Sequence, residues 1–529
     1  MSAPAAALGV RSNAELLELR AREDADRVFL RFGEDAWTFA AARDAVARLA
    51  GGLAAQGVRP GDRVAVMLPN SPAFVLSSLA LGWLGAVEVP LNTALKGEVL
   101  RHQIADSETS LAIVGADLLD RFERAVPDGP AIARVVVGDA APQDGRVPYD
   151  ALAAAEPVAR AAVDVSTLAA IMYTSGTTGA AKGVEVTHGH AGRFAADWVG
   201  AVRFTRDDVL LTPLPLFHSI ARTLGVLPTL MLGAQICVVP RFSASRFWDE
   251  VARYDPTVVH GIFGIVPILL NLPPHPGECD HRVRSFYIGP SGLSAAFEER
   301  FGIEVIEVYG ATETGVVTVF EPGGEIRPGS CGRANSATYD VDLVDDHDRS
   351  VADGEIGEFV VRPREPWTML TGYYGRPQET AEAFRNLWFH TGDYGRRDAD
   401  GFYYFVDRKK DAIRRRGENI TSGEVEQAVN AHPAVAENAV IAVPSELGED
   451  EVMTCIVLHP GQEVDFVQLT AFLDDRLPYF MVPRYFEVLS ELPKTASEKV
   501  QKVELRRRGN HGVTDATWDR EQHGVQLSR

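Results

Sequence analysis

The chain has 529 residues, of which 46% are hydrophobic and 24% charged, as in ordinary globular proteins and unlike disordered ones. A chain of this length exceeds one compact core and predicts about two to four structural units. The formal net charge of −21 argues against nucleic acid as a partner and disfavours an anionic membrane surface.

The four cysteines, Cys237, Cys279, Cys331 and Cys455, are widely separated and form no CxxC pair. This spacing predicts neither a metal site nor a disulfide framework, and it is typical of free thiols in a reducing compartment. The N-terminal residues show no charged region followed by a long apolar run, so no signal peptide is predicted. We therefore expect a cytoplasmic protein.

Strand and helix patterns alternate along roughly the first 340 residues. Residues 63–68 predict a buried strand, residues 72–84 a helix and residues 86–89 another strand. Such alternation predicts α/β layers with largely parallel sheets. The uncharged stretches 70–87 and 223–240 are long enough for a membrane span, but their prolines and glycines favour a buried helix followed by a buried strand.

The pattern changes after residue 340. Residues 341–361 predict short strands joined by turns, which indicates a small β-rich unit. A charged segment at 407–417 precedes the pattern of a small α+β domain, with helices at 424–430 and 467–477 and strands at 439–443 and 451–458. The polar tail beyond this domain holds little apolar material and is predicted to be mobile.

A segment rich in hydroxyl groups and glycine follows the apolar residues 168–173. Its donor residues are Thr174, Ser175, Gly176, Thr177, Thr178, Gly179 and Lys182. Glycine lets the backbone approach an anion closely, and backbone N–H groups, hydroxyls and a lysine all donate to phosphate. The segment lacks the Gly-Lys-Ser/Thr order of a Walker A loop, so a metal bound with the phosphates needs a ligand from elsewhere. We predict that this segment is an ATP phosphate loop.

Five motifs in this order resemble the adenylate-forming superfamily, which includes acyl-CoA synthetases, carrier-protein adenylation domains and luciferases. They are the phosphate loop, Tyr-Gly-Ala-Thr-Glu-Thr-Gly at 309–315, Trp-Phe-His-Thr-Gly-Asp at 388–393, Asp-Arg-Lys-Lys-Asp at 407–411 and the lysine-rich 493–502. The strings at 414–419 and 498–502 resemble the crotonobetaine/carnitine–CoA ligase-like branch. The resemblance covers about residues 15–506 and implies that a carboxylate is activated with ATP and Mg²⁺, with coenzyme A as the second substrate.

The resemblance also implies a domain organisation. The N-terminal adenylate-forming domain is expected at 1–409 as a large multi-layered α/β structure, and a small mobile α+β domain at 410–506 is expected to pivot about Lys410. The polar tail at 507–529 follows. We keep a homodimer open as the oligomeric state.

The resemblance implies roles for residues of each motif. The implied catalytic residues are Lys182, Thr312, Glu313 and Lys499. Glu313 is the implied Mg²⁺ ligand, since one carboxylate with ATP phosphates suits a hard cation. Further ATP contacts are implied for Ser291, Gly292, Glu307, Tyr309, Gly310, Asp393, Arg408 and Arg414. Arg416 and Gly417 are implied to line the tunnel for the thiol arm of coenzyme A. The implied substrate pocket contains His218, Gly261, Phe263, Gly289 and Val316.

Three alternatives to an acid–thiol ligase stay open. The enzyme could load a separate carrier protein, or activate nitrite instead of a carboxylate and pass it to an aryl amine as a diazotase. The third alternative is nucleotide binding without catalysis. Its only support is Ala181, where the family usually has proline, and Glu498, where it usually has glycine.

Overall fold

The computed structural model of the protein carries side chains and describes most of the chain. The described residues are 12–126, 133–138, 146–174, 181–261, 265–288, 293–320, 324–409, 413–415, 418–420, 422–445, 450–477, 479–494 and 500–527. For Arg408, Arg414, Glu418, Asn419 and Glu424 only the backbone is described.

The first large sheet has seven strands, all parallel to their neighbours except the last pair. In sheet order its strands are Glu304–Glu307, Ser285–Ile288, Val258–His260, Val209–Thr212, Gln235–Val238, Val28–Phe32 and Asp35–Thr38. The sequence prediction of largely parallel strands separated by helices is confirmed here.

The second large sheet also has seven strands, and only its last pair is antiparallel. In sheet order its strands are Arg146–Pro148, Ala133–Val137, Leu111–Gly115, Arg63–Met67, Val87–Pro90, Leu168–Thr174 and Lys182–Thr187. Val64 and Val66 pack into one apolar core, while Ala65 and Met67 pack into another. Because both faces of this strand are buried, its sequence is a nearly continuous apolar run.

Four smaller sheets complete the β structure of the described residues. Their strands are Tyr309–Ala311, Gly315–Val319 and Arg333–Ala334; Tyr339–Val344, Ile356–Pro363, Phe389–Arg397 and Tyr403–Arg408; Ile413–Arg415 and Glu418–Ile420; and Val435–Pro444, Asp450–Leu458, Tyr485–Val488 and Trp518–Asp519. The second of these groups lies where the sequence predicted a small β-rich unit.

The helices lie mostly between strands in the chain. The α-helices are Asn13–Glu23, Phe39–Ala55, Pro72–Leu84, Gly97–Asp106, Leu119–Ala125, Tyr149–Ala153, His188–Ala201, Ser219–Ala221, Leu227–Leu232, Phe247–Tyr254, Ile265–Leu270, Ser294–Phe301, Pro377–Ala383, Ser422–Asn430, Phe466–Asp474 and Lys502–Arg506. Short 3₁₀ turns are Ala116–Leu118, Ala244–Arg246 and Arg385–Leu387, and Arg222–Val226 is π-helical.

The predicted helix at 72–84 has the same bounds in the structure, Pro72–Leu84. Ser71 caps its N-terminus by accepting a hydrogen bond from the backbone N–H of Phe74, and Pro72 lies in the first turn. Gly85 ends the helix in the left-handed conformation, with φ +69°, which glycine adopts without strain. The cap residues therefore account for the accuracy of the prediction.

Both stretches that were weighed as membrane spans are a buried helix followed by a strand. The second stretch contains the π-helical turn, the helix Leu227–Leu232 and the strand Gln235–Val238. Within the described part of the chain, no helix has both the length and the apolar character that crossing a membrane requires.

The chain forms two compact units. The first comprises Met1–Asp342, Val360–His390 and Asp398–Tyr404; the second comprises Leu343–Phe359, Thr391–Arg397 and Phe405–Arg529. The sequence predicted continuous domains at 1–409 and 410–506. The second unit instead begins before residue 409 and includes two segments from earlier in the chain. Sequence patterns divide a chain at single points, whereas tertiary packing also groups segments that are distant in sequence.

The described residues of the polar tail predicted at 507–529, which end at 527, include a segment that packs within the second unit. Trp518 pairs with Phe486 in an antiparallel bridge, and its ring packs against those of Phe466 and Phe486 at centroid distances of 5.5 and 5.6 Å. Asp519 accepts two hydrogen bonds from the Arg484 guanidinium, at 3.1 and 3.0 Å. One tryptophan and one aspartate thus anchor a segment that looks uniformly polar in sequence.

Burial lowers the pKa values of three histidines in the first unit. The pKa falls to about 4 for His188 and to about 3 for His190 and His260. His190 lies in the helix His188–Ala201, stacks on Phe194, and has no hydrogen-bond partner for either ring nitrogen among the described residues. These rings are therefore neutral in the folded protein near neutral pH.

Replacing His190 with phenylalanine should make the protein less sensitive to acid. The unfolded histidine takes up a proton near pH 6.5, whereas the folded one does so only near pH 3. Protonation of the unfolded state therefore lowers the free energy of unfolding as the pH falls below 6.5. Between pH 6.5 and 5 the wild type should lose about 1.5–2 kcal/mol more unfolding free energy than His190→Phe. Chemical denaturation at several pH values measures this difference. Equal losses in both proteins would contradict the assignment.

Candidate active site

Four neighbouring parallel strands of the first sheet end where predicted site segments begin. In sheet order they are Glu304–Glu307, Ser285–Ile288, Val258–His260 and Val209–Thr212. Tyr309 follows the first strand, Gly261 the third, and His218 the fourth. Ligands of parallel α/β sheets bind at the carboxyl ends of strands. The fold therefore gathers motifs that are distant in the sequence at one edge of this sheet.

The predicted phosphate loop connects two antiparallel strands of the second sheet, Leu168–Thr174 and Lys182–Thr187. The register pairs Thr174 with Lys182, so both ends of the loop are held together by the hairpin. A Cβ atom on Gly183 would lie 2.5 Å from Cγ2 of Ile171. This close approach favours glycine at the position after Lys182. Between the strand ends, the predicted contacts Ser175, Gly176, Thr177, Thr178 and Gly179 lie outside the described residues.

The hairpin is anchored on its flanks. The hydroxyl of Tyr173 donates to Oδ2 of Asp106 at 2.8 Å, and Arg376 donates to the other oxygen of the same carboxylate at 2.7 Å. The ring of His102 contacts the carbonyl oxygen of Ala181 at 3.1 Å. These contacts fix the residues immediately before and after the loop.

The predicted metal ligand Glu313 contacts the base of the phosphate loop. Oγ1 of Thr174 donates a hydrogen bond to Oε1 of Glu313 at 3.0 Å, across 139 positions of sequence. This contact brings the predicted metal carboxylate beside the predicted phosphate site.

A tight turn presents Thr312 and Glu313. It joins the antiparallel strands Tyr309–Ala311 and Gly315–Val319, in which Gly310 is paired with Val316. A Cβ on Gly310 would lie 2.1 Å from the carbonyl oxygen of Gly315, and Gly315 itself has φ +81°. Both glycines of this motif therefore serve the geometry of the turn.

The segment with His218 contacts the same turn. Oγ of Ser219 lies 3.3 Å from Oγ1 of Thr312, so the residue after His218 touches a predicted catalytic hydroxyl. No sequence motif indicated Ser219, although its position beside His218 was an available signal. His218 itself is half-buried, and its ring packs on that of Phe217 with centroids 4.5 Å apart.

Asn70 holds the approach to His218 in place. Its amide nitrogen donates to the carbonyl oxygens of Leu214, at 2.9 Å, and Val239, at 3.0 Å. Its amide oxygen accepts a hydrogen bond from the backbone N–H of Leu216 at 2.8 Å. Asn70 is buried, and no local pattern in the sequence distinguished it.

Two of the residues predicted to contact ATP are strongly buried. Glu307 is 3% exposed and accepts a hydrogen bond from Oγ of Ser294 at 2.6 Å, and Tyr309 is 5% exposed. Ser291 and Gly292 lie outside the described residues. Contacts of Tyr309 and Glu307 with the nucleotide stay predictions.

The predicted substrate-pocket residues are described only in part. Gly261 donates its N–H to the carbonyl oxygen of Tyr287 at 2.9 Å, and a Cβ there would lie 2.2 Å from Cε1 of Phe286. Val316 is almost fully buried. Phe263 and Gly289 lie outside the described residues.

Lys182 points at an aromatic ring that sequence analysis missed. Its Nζ atom lies 5.0 Å from the centroid of the Tyr373 ring, within the range of a cation–π interaction. Burial raises the pKa of the Tyr373 hydroxyl, and the negative charge of Glu313 adds to the rise. Tyr373 is thus close to two predicted site residues.

The second unit contains Asp393, a predicted ATP contact, beside a hydrogen-bonded glycine. Asp393 is 5% exposed and follows Gly392, which has φ +71°. The N–H of Gly392 donates to Oε1 of Glu358 at 3.1 Å, and its carbonyl oxygen accepts from the N–H of Lys409 at 2.8 Å. Nζ of Lys409 in turn donates to Oε2 of Glu358 at 3.2 Å.

Two lysines flanking the predicted catalytic lysine have partners inside the second unit. Nζ of Lys502 donates to Oγ of Ser422 at 2.5 Å and pairs with Glu426 at 2.8 Å, and Lys494 pairs with Glu437. Both therefore have structural roles. The side chains of Arg408 and Arg414 are not described, and Lys410, Arg416, Gly417 and Lys499 lie outside the described residues.

Two family models match this chain. Residues 17–374 match the family model described as AMP-binding enzyme, and residues 424–499 match the model described as AMP-binding enzyme C-terminal domain. The chain is 32% identical over 484 residues to a crotonobetaine/carnitine–CoA ligase of Salmonella paratyphi C, covering 89% of this chain and 93% of that protein.

Solved structures resemble the fold over nearly its full length. An anthranilate CoA ligase in complex with anthranoyl-AMP has a TM-score of 0.85 and 26% identity, covering 94% of this chain and 96% of that chain. An o-succinylbenzoate coenzyme A synthetase from Bacillus subtilis in complex with ATP and magnesium ion has a TM-score of 0.81 and 28% identity, covering 94% and 99%.

Proposed function

The chain belongs to the AMP-binding enzyme family, and on that premise we propose that it activates a carboxylic acid with ATP and transfers the acyl group to the thiol of coenzyme A. It is an ATP-dependent acid–thiol ligase of the AMP-forming type. The acid is a small molecule.

The hydrogen bond between Thr174 and Glu313 carries the assignment of the site. It supports the proposal because it links the base of the predicted phosphate loop to the predicted metal carboxylate, and the adjacent Thr312 contacts the His218–Ser219 segment. All of these residues belong to the first unit, at the edges where the parallel strands end. An acyl-adenylate contains a phosphate, a ribose and an acyl group. Its site therefore needs hydrogen-bond donors for the phosphate and ribose beside a pocket for the acyl group.

The chemistry of Glu313 suits a magnesium ion. Among the described residues, no cluster of three or more histidine, cysteine or acidic side chains could hold a metal by itself. Mg²⁺ usually binds through one or two carboxylates and the phosphates of its substrate, so one carboxylate beside a phosphate loop fits this cation. When bound, Mg²⁺ would offset the charge of the triphosphate.

The chain's own residues position the reactants in both half-reactions. An oxygen of the acid attacks the α-phosphorus of ATP, the bond to the pyrophosphate oxygen breaks, and an acyl-adenylate forms. Lys182 and the loop hydroxyls hold the departing pyrophosphate, while Lys499 stabilises the negative charge at the α-phosphate. In the second half-reaction the thiolate sulfur of coenzyme A attacks the acyl carbonyl carbon, and AMP leaves.

Release of pyrophosphate from ATP tests the function directly. The purified protein is offered a panel of acids with and without coenzyme A, and the panel contains crotonobetaine, carnitine, anthranilate and o-succinylbenzoate because related proteins act on them. We expect pyrophosphate release with at least one acid, and an acyl-CoA product only when coenzyme A is present. Turnover with nitrite and an aryl amine, independent of coenzyme A, would overturn the ligase assignment. A cytoplasmic location and a homodimer stay predictions.

A further inference from the structure

A short segment forms hydrogen bonds both with the Glu313 turn and with the strand that contains Lys182. We call residues 368–374 the strap. The N–H of Leu370 donates to the carbonyl oxygen of Glu313 at 2.9 Å, and the N–H of Tyr374 donates to the carbonyl oxygen of Gly183 at 2.8 Å. The strap therefore ties the backbone of the predicted metal ligand to the backbone beside Lys182.

The strap runs beside Lys182–Thr187, the last strand of the second sheet, and makes one antiparallel bridge with it. Val184 and Tyr373 form an antiparallel bridge, and the N–H of Glu185 donates to the carbonyl oxygen of Gly372 at 3.0 Å. Oγ1 of Thr371 also donates to the Glu185 carboxylate at 2.7 Å. This pairing fixes the register between strap and hairpin, so the side chain of Tyr373 has a defined position relative to Lys182.

The two tyrosines at the end of the strap have different partners. The ring of Tyr373 lies 5.0 Å from Nζ of Lys182, and the pKa of its hydroxyl is raised by burial and, to a lesser degree, by the charge of Glu313. The hydroxyl of Tyr374 instead donates to Oε2 of Glu108 at 3.0 Å. Of the two tyrosines, Tyr373 is therefore the one whose ring lies beside Lys182.

We propose that Tyr373 is a positioning residue for adenylation: its ring holds the ammonium group of Lys182 beside the Glu313 turn, ready to meet the phosphates of ATP. This inference rests on the proposed function of the site.

An aromatic ring is well suited to this task. A free lysine side chain is flexible, and a phosphate must order it on binding. A carboxylate could also hold the ammonium, but it would offset the charge and occupy the N–H donors that a phosphate needs. The face of a ring attracts the cation without accepting a strong hydrogen bond, which leaves the donors of Lys182 available for ATP.

Replacement of Tyr373 by leucine should raise the KM for ATP and lower kcat/KM for ATP by about tenfold in the pyrophosphate-release assay. Tyr373→Phe keeps the ring and should restore kcat/KM to within about twofold of the wild type. Tyr374→Leu, a matched change at the neighbouring position, should leave both parameters unchanged. Thermal unfolding of each variant shows whether its fold is intact.

A double-mutant cycle with Lys182→Met distinguishes positioning from general support of the fold. If Tyr373 acts through Lys182, then Tyr373→Leu should change kcat/KM by less than about twofold once Lys182 is methionine. An equal tenfold loss in both backgrounds, or a loss in Tyr373→Phe as large as in Tyr373→Leu, would overturn the proposal. Wild-type pyrophosphate release is the reference for every variant. If the wild-type protein released no pyrophosphate, the proposed function would be contradicted and not the role of Tyr373.

Discussion

Replacing Lys499 with alanine should abolish ATP-dependent pyrophosphate release while leaving thioester formation from a supplied acyl-adenylate intact. The first half-reaction brings a carboxylate to a polyphosphate, and one pair of negative charges about 4 Å apart costs ~4 kcal/mol at an effective dielectric of ~20. A lysine at the α-phosphate offsets this repulsion and stabilises the transition state. We expect the rate of pyrophosphate release to fall by at least about 10²-fold.

The second half-reaction starts from an uncharged acyl carbonyl and needs no such offset. Lys499→Ala should therefore convert a synthetic acyl-adenylate and coenzyme A to acyl-CoA at close to the wild-type rate. The two half-reactions are measured separately, the first by pyrophosphate release and the second by chromatography of the thioester. Equal losses in both would show that Lys499 supports the fold or the second step, which contradicts its assignment.

Lys494 provides a matched control for the loss of a positive charge. It lies in the same segment and pairs with Glu437 at 2.5 Å, with both side chains about one-third exposed. A partly exposed ion pair contributes at most about 1 kcal/mol to stability. Lys494→Ala should therefore retain adenylation. Lys502 is a poorer control, because its bonds to Ser422 and Glu426 make its removal destabilising.

Replacing Glu313 with glutamine should have the second-largest effect. Glutamine keeps the size of the side chain and an oxygen that can accept the hydrogen bond from Thr174, but it removes the charge that suits a magnesium ion. We expect kcat/KM for ATP to fall by about a hundredfold, and the Mg²⁺ concentration for half-maximal rate to rise. Titration of Mg²⁺ at fixed ATP measures the second effect.

The matched control is Glu365→Gln, which removes the same charge elsewhere in the first unit. Glu365 pairs with Arg193 at 2.9 Å and is mostly exposed, so its loss should leave the Mg²⁺ requirement unchanged. If Glu313→Gln showed the wild-type Mg²⁺ dependence, the metal would have to be held by other groups. Similar thermal midpoints for the two variants would establish that the comparison concerns the site and not the fold.

Local signals account for the parts of the fold that were predicted well. The helix Pro72–Leu84 has a serine cap, a proline in its first turn and a terminal glycine, and its predicted bounds are confirmed. The predicted strand at 63–68 is observed as Arg63–Met67, because a strand buried on both faces has a distinctive apolar run. In contrast, the strand Trp518–Asp519 is two residues long and depends on packing with Phe466 and Phe486, so no periodicity indicated it.

The sequence by itself predicted which chemical groups this protein would bring to ATP. The phosphate-loop residues, Glu313 and Lys499 are predicted from motifs whose order along the chain indicates adenylation. Only the tertiary structure decided which of the described groups meet. Thr174 reaches Glu313 across 139 positions, and Lys182 reaches the ring of Tyr373, because strand order and the pairing of the strap bring them together. Such contacts depend on the arrangement of whole strands, and no local pattern of residues encodes them.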